Sequence, residues 1–145
     1  MDADDLIRRL GLQPHPEGGH FVETYRAPPA DGTARGATTA IYFLLKAGER
    51  SHWHAVDAVE IWHWYAGAPL ELAISDDGRT TRCVILGTDF AGGQQPQAVV
   101  PTRAWQAART LGPWTLVGCT VSPAFEFAGF TLAPAGWSPG QELPG

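Results

Sequence analysis

Short apolar segments, separated by turn residues, recur along the whole chain. They are rich in β-branched and aromatic residues, as strands are. Turn residues such as Asp76-Asp77-Gly78 end most of them. These segments lie at 20–27, 38–48, 58–67, 69–75, 79–87, 96–101, 114–122 and 125–133. About eight short strands at even spacing predict an antiparallel sandwich or barrel.

The first residues have the pattern of a short amphipathic helix. Asp2 is a candidate N-cap, Leu6 and Leu10 lie on an apolar face, and Gly11 is a stop signal. A chain of 145 residues suits one domain. We therefore predict a single all-β domain with an N-terminal helix and turn at 1–19, a barrel at 20–133 and a C-terminal tail at 134–145.

Composition excludes several classes of partner. The formal net charge is −5 and Lys46 is the single lysine, so the sequence predicts no nucleic-acid surface. The longest apolar run, 40–45, is too short to cross a membrane, and the acidic N-terminus is unlike a signal peptide. We expect a cytoplasmic protein, in which Cys83 and Cys119 are reduced and buried.

Candidate chemistry concentrates between residues 51 and 67, which contain three of the five histidines. His52 and His54 are two residues apart, so on an extended segment both rings project to one side and can reach one metal ion. Glu60 begins the next strand and can supply a carboxylate, whereas His63 falls on the opposite face of that strand. Two ordinary polar side chains explain an isolated His-x-His equally well, and the spacing alone does not decide.

The wider spacing resembles a known signature. From Gly48 to Gly67 the chain reads G-x3-H-x-H-x5-E-x6-G, which resembles the first signature of the cupin superfamily. In that signature two histidines and a glutamate bind a metal inside a jelly-roll barrel. The segment VVPTRAWQAA lies where the second signature is expected. Arg103 stands there at a glycine position, and Gln106 stands at the position of a fourth ligand, a histidine.

The resemblance extends over most of the chain. Four separated segments resemble, in order, a small single-domain cupin family that is largely described as uncharacterised: PHPEGGHFVETYR, HWHAVDAVEIWHWYAG, PTRAWQAA and LVGCTVSPAFEFAGFTL. This implies a double-stranded β-helix, or jelly roll, of the dTDP-sugar epimerase type, commonly assembled as a homodimer. It also implies a divalent transition metal (Zn, Mn, Fe or Ni) held by His52, His54, Glu60 and Gln106.

Such a centre suggests proton-transfer chemistry. The metal would act as a Lewis acid in isomerisation, epimerisation or β-elimination of a small oxygenated molecule, anionic or sugar-like. Without a metal, His52 or His54 paired with Glu60 would be a general base, as in the epimerases that share this fold. A cupin that binds a small ligand without turnover is the third alternative. His52, His54 and Glu60 are the catalytic candidates in the first two.

Aromatic and basic residues are candidates for ligand contacts. Indoles and phenyl rings stack on flat ligands, and arginine holds carboxylates or phosphates, although core and surface roles explain each residue as well. Glu17 and Glu23 lie in the segment from 14 to 26, which resembles the family. A structural role in a turn or a strand explains them as well as a role in the site. The principal substrate-binding candidates are Tyr42, Trp62, Arg103 and Phe127, with Trp64, Phe125 and Arg26 as further ones.

Overall fold

The computed structural model, in which residues 1–143 are described, consists of two facing antiparallel sheets behind a short helix. The helix, α1, covers Ala3–Leu10. The strands are β1 (Gln13–Pro14), β2 (His20–Arg26), β3 (Thr39–Lys46), β4 (Ser51–Val56), β5 (Val59–Gly67), β6 (Leu70–Ser75), β7 (Arg82–Leu86), β8 (Gln97–Val100), β9 (Trp105–Thr110), β10 (Trp114–Ser122) and β11 (Phe130–Leu132). A jelly roll with an N-terminal helix confirms the predicted fold class.

The two sheets enclose the main hydrophobic core. The first sheet has the strand order β1-β2-β3-β10-β5-β8, and the second has the order β11-β4-β9-β6-β7. Inward side chains such as Phe43, Trp62, Leu72 and Val117 are almost completely buried between them. The core fills the end of the barrel where β3 ends and β6 begins. The other end, where β3 and β5 begin, contains an open cavity.

Helix α1 packs on the outer surface of the first sheet. Asp2 caps it by accepting a hydrogen bond from the backbone N–H of Asp5, and Gly11 ends it in the left-handed conformation, with φ of 68°. Its apolar face contacts a layer that contains Leu44 and Tyr42. Since Phe43 faces the core, its neighbours on β3 face this outer layer. Tyr42 is therefore on the side of the sheet away from the cavity.

A bulge in β4 decides which of its side chains face inward. Ser51 pairs with Ala108 of β9, but His54 pairs with Gln106, so a step of three residues along β4 matches a step of two along β9. The extra residue interrupts the alternation of side chains. His54 is consequently buried, with 2% of its surface exposed. His52 is only partly buried, and its ring lies against the Pro134 carbonyl oxygen instead. The prediction that His52 and His54 project to the same side is therefore wrong.

Several predicted elements differ locally from the structure. The segment 125–133, predicted as one strand, forms a 3-10 turn at Phe127–Gly129 followed by the short β11. The backbone N–H of Phe125 donates to the side-chain hydroxyl of Thr39 instead of to a backbone carbonyl group of a neighbouring strand. Cys119 is buried as expected, but Cys83 is exposed, and both are free thiols. Within residues 1–143, no helix has the length and apolar character needed to cross a membrane.

Candidate active site

The cavity at the open end of the barrel collects most of the buried ionisable groups. It holds about 540 Å³ of empty space, counting its open mouth. Its inner part, which we call the floor, is formed by His15, Glu17, His54, Glu60 and Cys119. Its walls are apolar and include the rings of Phe21, Phe125, Phe127 and Phe130. Glu23 and Arg26 form a surface ion pair at the mouth.

A tight turn before β2 places Glu17 on this floor. Gly18 has φ of 112° and approaches the Arg50 backbone so closely that a Cβ atom would overlap the Arg50 carbonyl oxygen. Only glycine fits such a position. The Glu17 carbonyl accepts a hydrogen bond of 2.8 Å from the backbone N–H of His52. The turn is thus fixed to the start of β4, and the Glu17 side chain reaches His54.

His54 and Glu17 form a buried ion pair. The Nδ1–H of His54 donates to the His52 carbonyl oxygen over 2.7 Å, and the same nitrogen lies 2.8 Å from Oε2 of Glu17. Burial alone would lower the pKa of His54, but the charges of Glu17 and Glu60 outweigh it and raise that pKa to about 9. Burial likewise opposes ionisation of Glu17, yet His54 keeps its pKa below the ordinary value. His54 is therefore a cation at neutral pH, and Glu17 is its anion.

Glu60 is a second buried carboxyl group, and its orientation is fixed by a relay of hydrogen bonds. The Trp62 indole N–H donates to Oε1 of Gln106 over 2.8 Å, and Nε2 of Gln106 donates to Oε1 of Glu60 over 2.8 Å. Because an indole can only donate, the amide cannot be turned the other way. Oε1 of Glu60 is thus an acceptor, and Oε2 is left to carry a proton.

Glu60 changes its charge near neutral pH. Burial raises its pKa to about 7, although the cation of His54 and the amide of Gln106 favour its charged form. The neighbouring thiol of Cys119 is held protonated, because burial and the charges of Glu60 and Glu17 raise its pKa well above the ordinary value. A carboxyl group that exchanges its proton near pH 7 in a cavity is suited to general acid–base catalysis.

His15 contributes a neutral ring to the floor. Its Nδ1 accepts a hydrogen bond of 3.1 Å from the backbone N–H of Glu17. Burial lowers the pKa of His15, and this outweighs the charge of Glu17. A neutral ring whose Nδ1 is an acceptor carries its hydrogen on Nε2. The ring packs edge-on against Phe21, with centroids 4.5 Å apart.

The four predicted metal ligands do not form one set: His54 and Glu60 lie on the floor and Gln106 bonds to Glu60, but His52 lies elsewhere. Nε2 of His52 donates to the Pro134 carbonyl oxygen over 3.0 Å, away from the cavity. Gln106 uses its oxygen for Trp62 and presents its N–H group to Glu60, so it offers a donor where a metal needs an acceptor. In residues 1–143 no group of three or more His, Cys, Asp or Glu side chains is placed to hold a metal ion. These residues do not fit the implied metal, and we derive no step through one.

The predicted ligand contacts separate into two groups. Phe127 lines the cavity, as do Phe125 and Arg26. Trp62 is fully buried behind Gln106, and Tyr42 lies on the outer face of the first sheet, so neither lines the cavity. Arg103 lies by a separate surface depression beside Asp57. Its φ of 66° belongs to the left-handed region that favours glycine, in agreement with its place in the second signature.

Two floor residues, Glu17 and His15, were missed as site residues by sequence reasoning. Both lie in the segment PHPEGG, where the two consecutive glycines indicate a turn with unusual backbone angles. Such a turn signals close approach of the backbone to another part of the chain. A histidine and a glutamate beside such a turn were the signal from which these two site residues could have been predicted.

We expect the substitution His52→Ala to leave ligand binding unchanged within about twofold. His52 lies outside the cavity, and the substitution removes one hydrogen bond, worth about 1 kcal/mol of unfolding free energy. Chemical denaturation and ligand titration of the variant measure both effects. A variant that folds normally but no longer binds ligand would show that His52 belongs to the site.

Comparison with known proteins agrees with this architecture. Residues 4–133 match the profile of the family described as Cupin superfamily (DUF985). Protein SO0799 from Shewanella oneidensis is 38% identical, with a TM-score of 0.86 over 91% of this chain and 84% of that one. A hypothetical protein from Leishmania major is 32% identical, with a TM-score of 0.81 over 90% and 86%. No curated protein sequence gives a significant match.

A more distant likeness concerns the fold alone. A variant of the oxalate decarboxylase of B. subtilis is 12% identical, with a TM-score of 0.62. The match covers 82% of this chain but only 29% of the decarboxylase. It supports a common jelly roll and carries no information about the reaction here.

Proposed function

The chain belongs to the DUF985 family of the cupin superfamily, and we propose that it catalyses proton transfer on a small carbonyl compound without a metal. The observation that carries this proposal is a pair of buried carboxyl groups, Glu17 and Glu60, which line one cavity with His54 and whose charges both raise the pKa of His54. One carboxyl group holds His54 as a cation, and the other exchanges its proton near neutral pH. Enolisation needs a base that takes a proton from carbon and a donor that stabilises the carbonyl oxygen, and Glu60 and the cation of His54 supply these two roles.

The reaction proceeds by removal of a proton from carbon. The Glu60 carboxylate takes a proton from the carbon beside a carbonyl group, and the C–H electron pair becomes the C=C bond of an enol. The Nε2–H of His54 donates to the carbonyl oxygen, where negative charge develops. In isomerisation Glu60 then returns the proton to another carbon of the enol system, whose electron pair forms the new C–H bond as a C=O bond is restored. In β-elimination the group on the β carbon leaves with its bonding pair and takes the proton from Glu60, while a double bond forms between the α and β carbons. No oxidant or reductant is required.

A single base favours some reactions over others. Isomerisation and β-elimination use one base on one face of the substrate, as Glu60 provides. Epimerisation needs a proton delivered to the opposite face by a second acid. The Cys119 thiol is adjacent to Glu60 and does not supply that second face. We therefore favour an isomerase or lyase among the proton-transfer enzymes that the sequence indicates.

Solvent isotope exchange tests this function directly. The full chain is incubated in D2O with a panel of ketones, hydroxy-ketones and keto-acids, and loss of C–H signal is followed by proton NMR. We expect exchange on at least one compound, unaffected by EDTA. Compounds that raise the melting temperature without exchanging would identify a ligand-binding cupin instead. Loss of activity in the presence of EDTA would show that the reaction depends on a metal.

The rate of exchange should depend on pH as a bell-shaped curve. Glu60 must be ionised to accept a proton, so kcat/KM rises with pH until about 7, the pKa of Glu60. His54 must be protonated to donate, so kcat/KM falls above about 9, the pKa of His54. The measurement is kcat/KM over a range of pH that spans both values, in buffers of constant ionic strength. A curve that keeps rising above the pKa of His54 would contradict the role of that residue.

A further inference from the structure

The floor of the cavity has no net positive charge, whether or not Glu60 is ionised. The cation of His54 lies against the anion of Glu17, and His15 is neutral. Within residues 1–143 the floor therefore provides no cation that lacks a partner. An anionic group of a ligand would meet the oxygens of Glu17 and Glu60 there. Burying a charge without a partner is strongly unfavourable.

This differs from the anionic ligand that the sequence suggested. That expectation depended on a metal centre with net positive charge, whose ligands do not assemble. Arg26 lies at the mouth, where Glu23 already neutralises it with two hydrogen bonds, of 2.7 and 3.1 Å. The polar end of a ligand that reaches the floor is thus expected to be uncharged.

The walls select a flat and apolar body. The ring of Phe130 lies 5.4 Å from that of His54 and 5.8 Å from that of Phe125, measured between centroids. Phe127 is 57% exposed and extends this aromatic surface to the mouth. Aromatic rings pack well against other rings and offer no hydrogen bonds to an aliphatic polyol. The wall chemistry suits a ring compound.

One hydrogen-bond donor on the floor has no protein partner. The side chain of His15 is 6% exposed, and its Nδ1 is used by the Glu17 backbone. Its Nε2–H makes no hydrogen bond to any of residues 1–143, while the ring lines the cavity. This nitrogen is not sealed in the protein interior, so a group inside the cavity can reach it. A ligand oxygen in the cavity would satisfy it.

We propose that the cavity selects an uncharged, flat ring compound with a carbonyl oxygen, and that the Nε2–H of His15 donates to that oxygen. His54 and His15 both line the cavity and both contact Glu17 through Nδ1, which leaves the Nε2–H of each ring available to a ligand. A carbonyl oxygen has two lone pairs and accepts from both. The inference rests on the proposed function for its choice of cavity, but it concerns binding and is tested without turnover.

Benzamide and benzoate are a matched pair of probes, because they share shape and differ in charge. Binding to the full chain at about neutral pH is followed by NMR through the methyl signals of Ile41, Val56 and Val121, which line the cavity. We expect benzamide to bind at least about tenfold more tightly than benzoate. Equal or tighter binding of benzoate would overturn the inference. Failure of both probes to shift these signals would also overturn it.

The substitution His15→Asn isolates the proposed hydrogen bond. The Asn oxygen can accept from the Glu17 backbone as Nδ1 does, but the side chain is too short to replace Nε2–H. We expect about fivefold weaker binding of benzamide, the loss of one neutral hydrogen bond. His63→Asn, on the outer face, is the control and should bind benzamide normally. Unchanged binding by folded His15→Asn protein would contradict the donor role.

Direct observation of the ring keeps the inference testable if that variant does not fold. Long-range 1H–15N NMR of the unmodified protein should show His15 with its hydrogen on Nε2, and benzamide should shift the Nε2 signal. A hydrogen on Nδ1, or an Nε2 signal unaffected by bound benzamide, would overturn the inference. Benzamide binding in a protein that exchanges no substrate proton would contradict only the proposed function.

Discussion

The substitution Glu60→Gln should slow proton exchange strongly and, at neutral and alkaline pH, stabilise the protein at the same time. Glutamine keeps the shape of the side chain and can still accept from Gln106, but it cannot take a proton from carbon. We expect kcat/KM to fall by about 10²- to 10⁴-fold, the usual contribution of a general base. NMR exchange assays of the variant and the unmodified protein measure the loss.

The gain in stability follows from the pKa of Glu60. Folding raises this pKa from 4.5 to about 7, so the side chain favours folding below pH 4.5, and that contribution is lost as the pH rises through 7. Above pH 7 the folded protein holds a buried carboxylate, at a cost of about 3 kcal/mol. Glutamine has no such cost. The variant should therefore gain up to about 3 kcal/mol of unfolding free energy relative to the unmodified protein as the pH rises from about 4.5 to about 8.

A matched variant controls for general effects on the protein. Glu71→Gln removes a carboxylate on the other sheet that pairs with Arg109 and does not line the cavity. It should retain full exchange and change stability by less than about 1 kcal/mol. A Glu60→Gln variant that is both active and no more stable at alkaline pH would show that Glu60 is not the base and that burial does not raise its pKa. The proposed mechanism would then be wrong.

Local patterns were sufficient to predict an antiparallel sandwich or barrel with an N-terminal helix, and the resemblance to the cupins specified the jelly roll. The N-cap at Asp2 and the stop at Gly11 act within one helical turn, so the sequence around α1 determines its ends. Strands such as β3 and β10 combine β-branched residues with flanking turns, and each is present as predicted. β9 was missed as a strand because the alanines and polar residues of WQAART have no clear alternation. Its burial depends on neighbours that sequence periodicity does not describe.

The site was harder to predict because tertiary contacts determine it. The His-x-His spacing implies one common face only in a regular strand, and the bulge in β4 exists because of its pairing with β9. Glu17 lies far from His54 along the chain and reaches it because Gly18 permits close approach to Arg50. Glu60 lies on the cavity floor, on the inner face of β5 where the alternation of that strand predicts it. Gln106 was found beside it, although as a hydrogen-bond donor to Glu60.

The substitution Glu17→Gln should destabilise the protein strongly at about pH 6 and hardly at all above the pKa of His54. Folding raises the pKa of His54 from 6.5 to about 9. This favours folding by about 3 kcal/mol below pH 6.5, and the contribution is lost as the pH rises through 9. Without the Glu17 charge, burial would be the dominant effect and would lower the pKa of His54. The variant thus loses about 3 kcal/mol of unfolding free energy at about pH 6.

Denaturation at two pH values separates this ion pair from a general loss of packing. Guanidinium titrations at about pH 6 and about pH 9.5 give the difference between the variant and the unmodified protein on either side of the titration of His54. Glu23→Gln, which breaks the exposed pair with Arg26, should cost less than about 1 kcal/mol at both. A deficit of Glu17→Gln that stays the same at both pH values would mean that Glu17 acts through shape alone. A deficit confined to low pH assigns it to the charge of His54, the same charge that the mechanism uses to stabilise the enol oxygen.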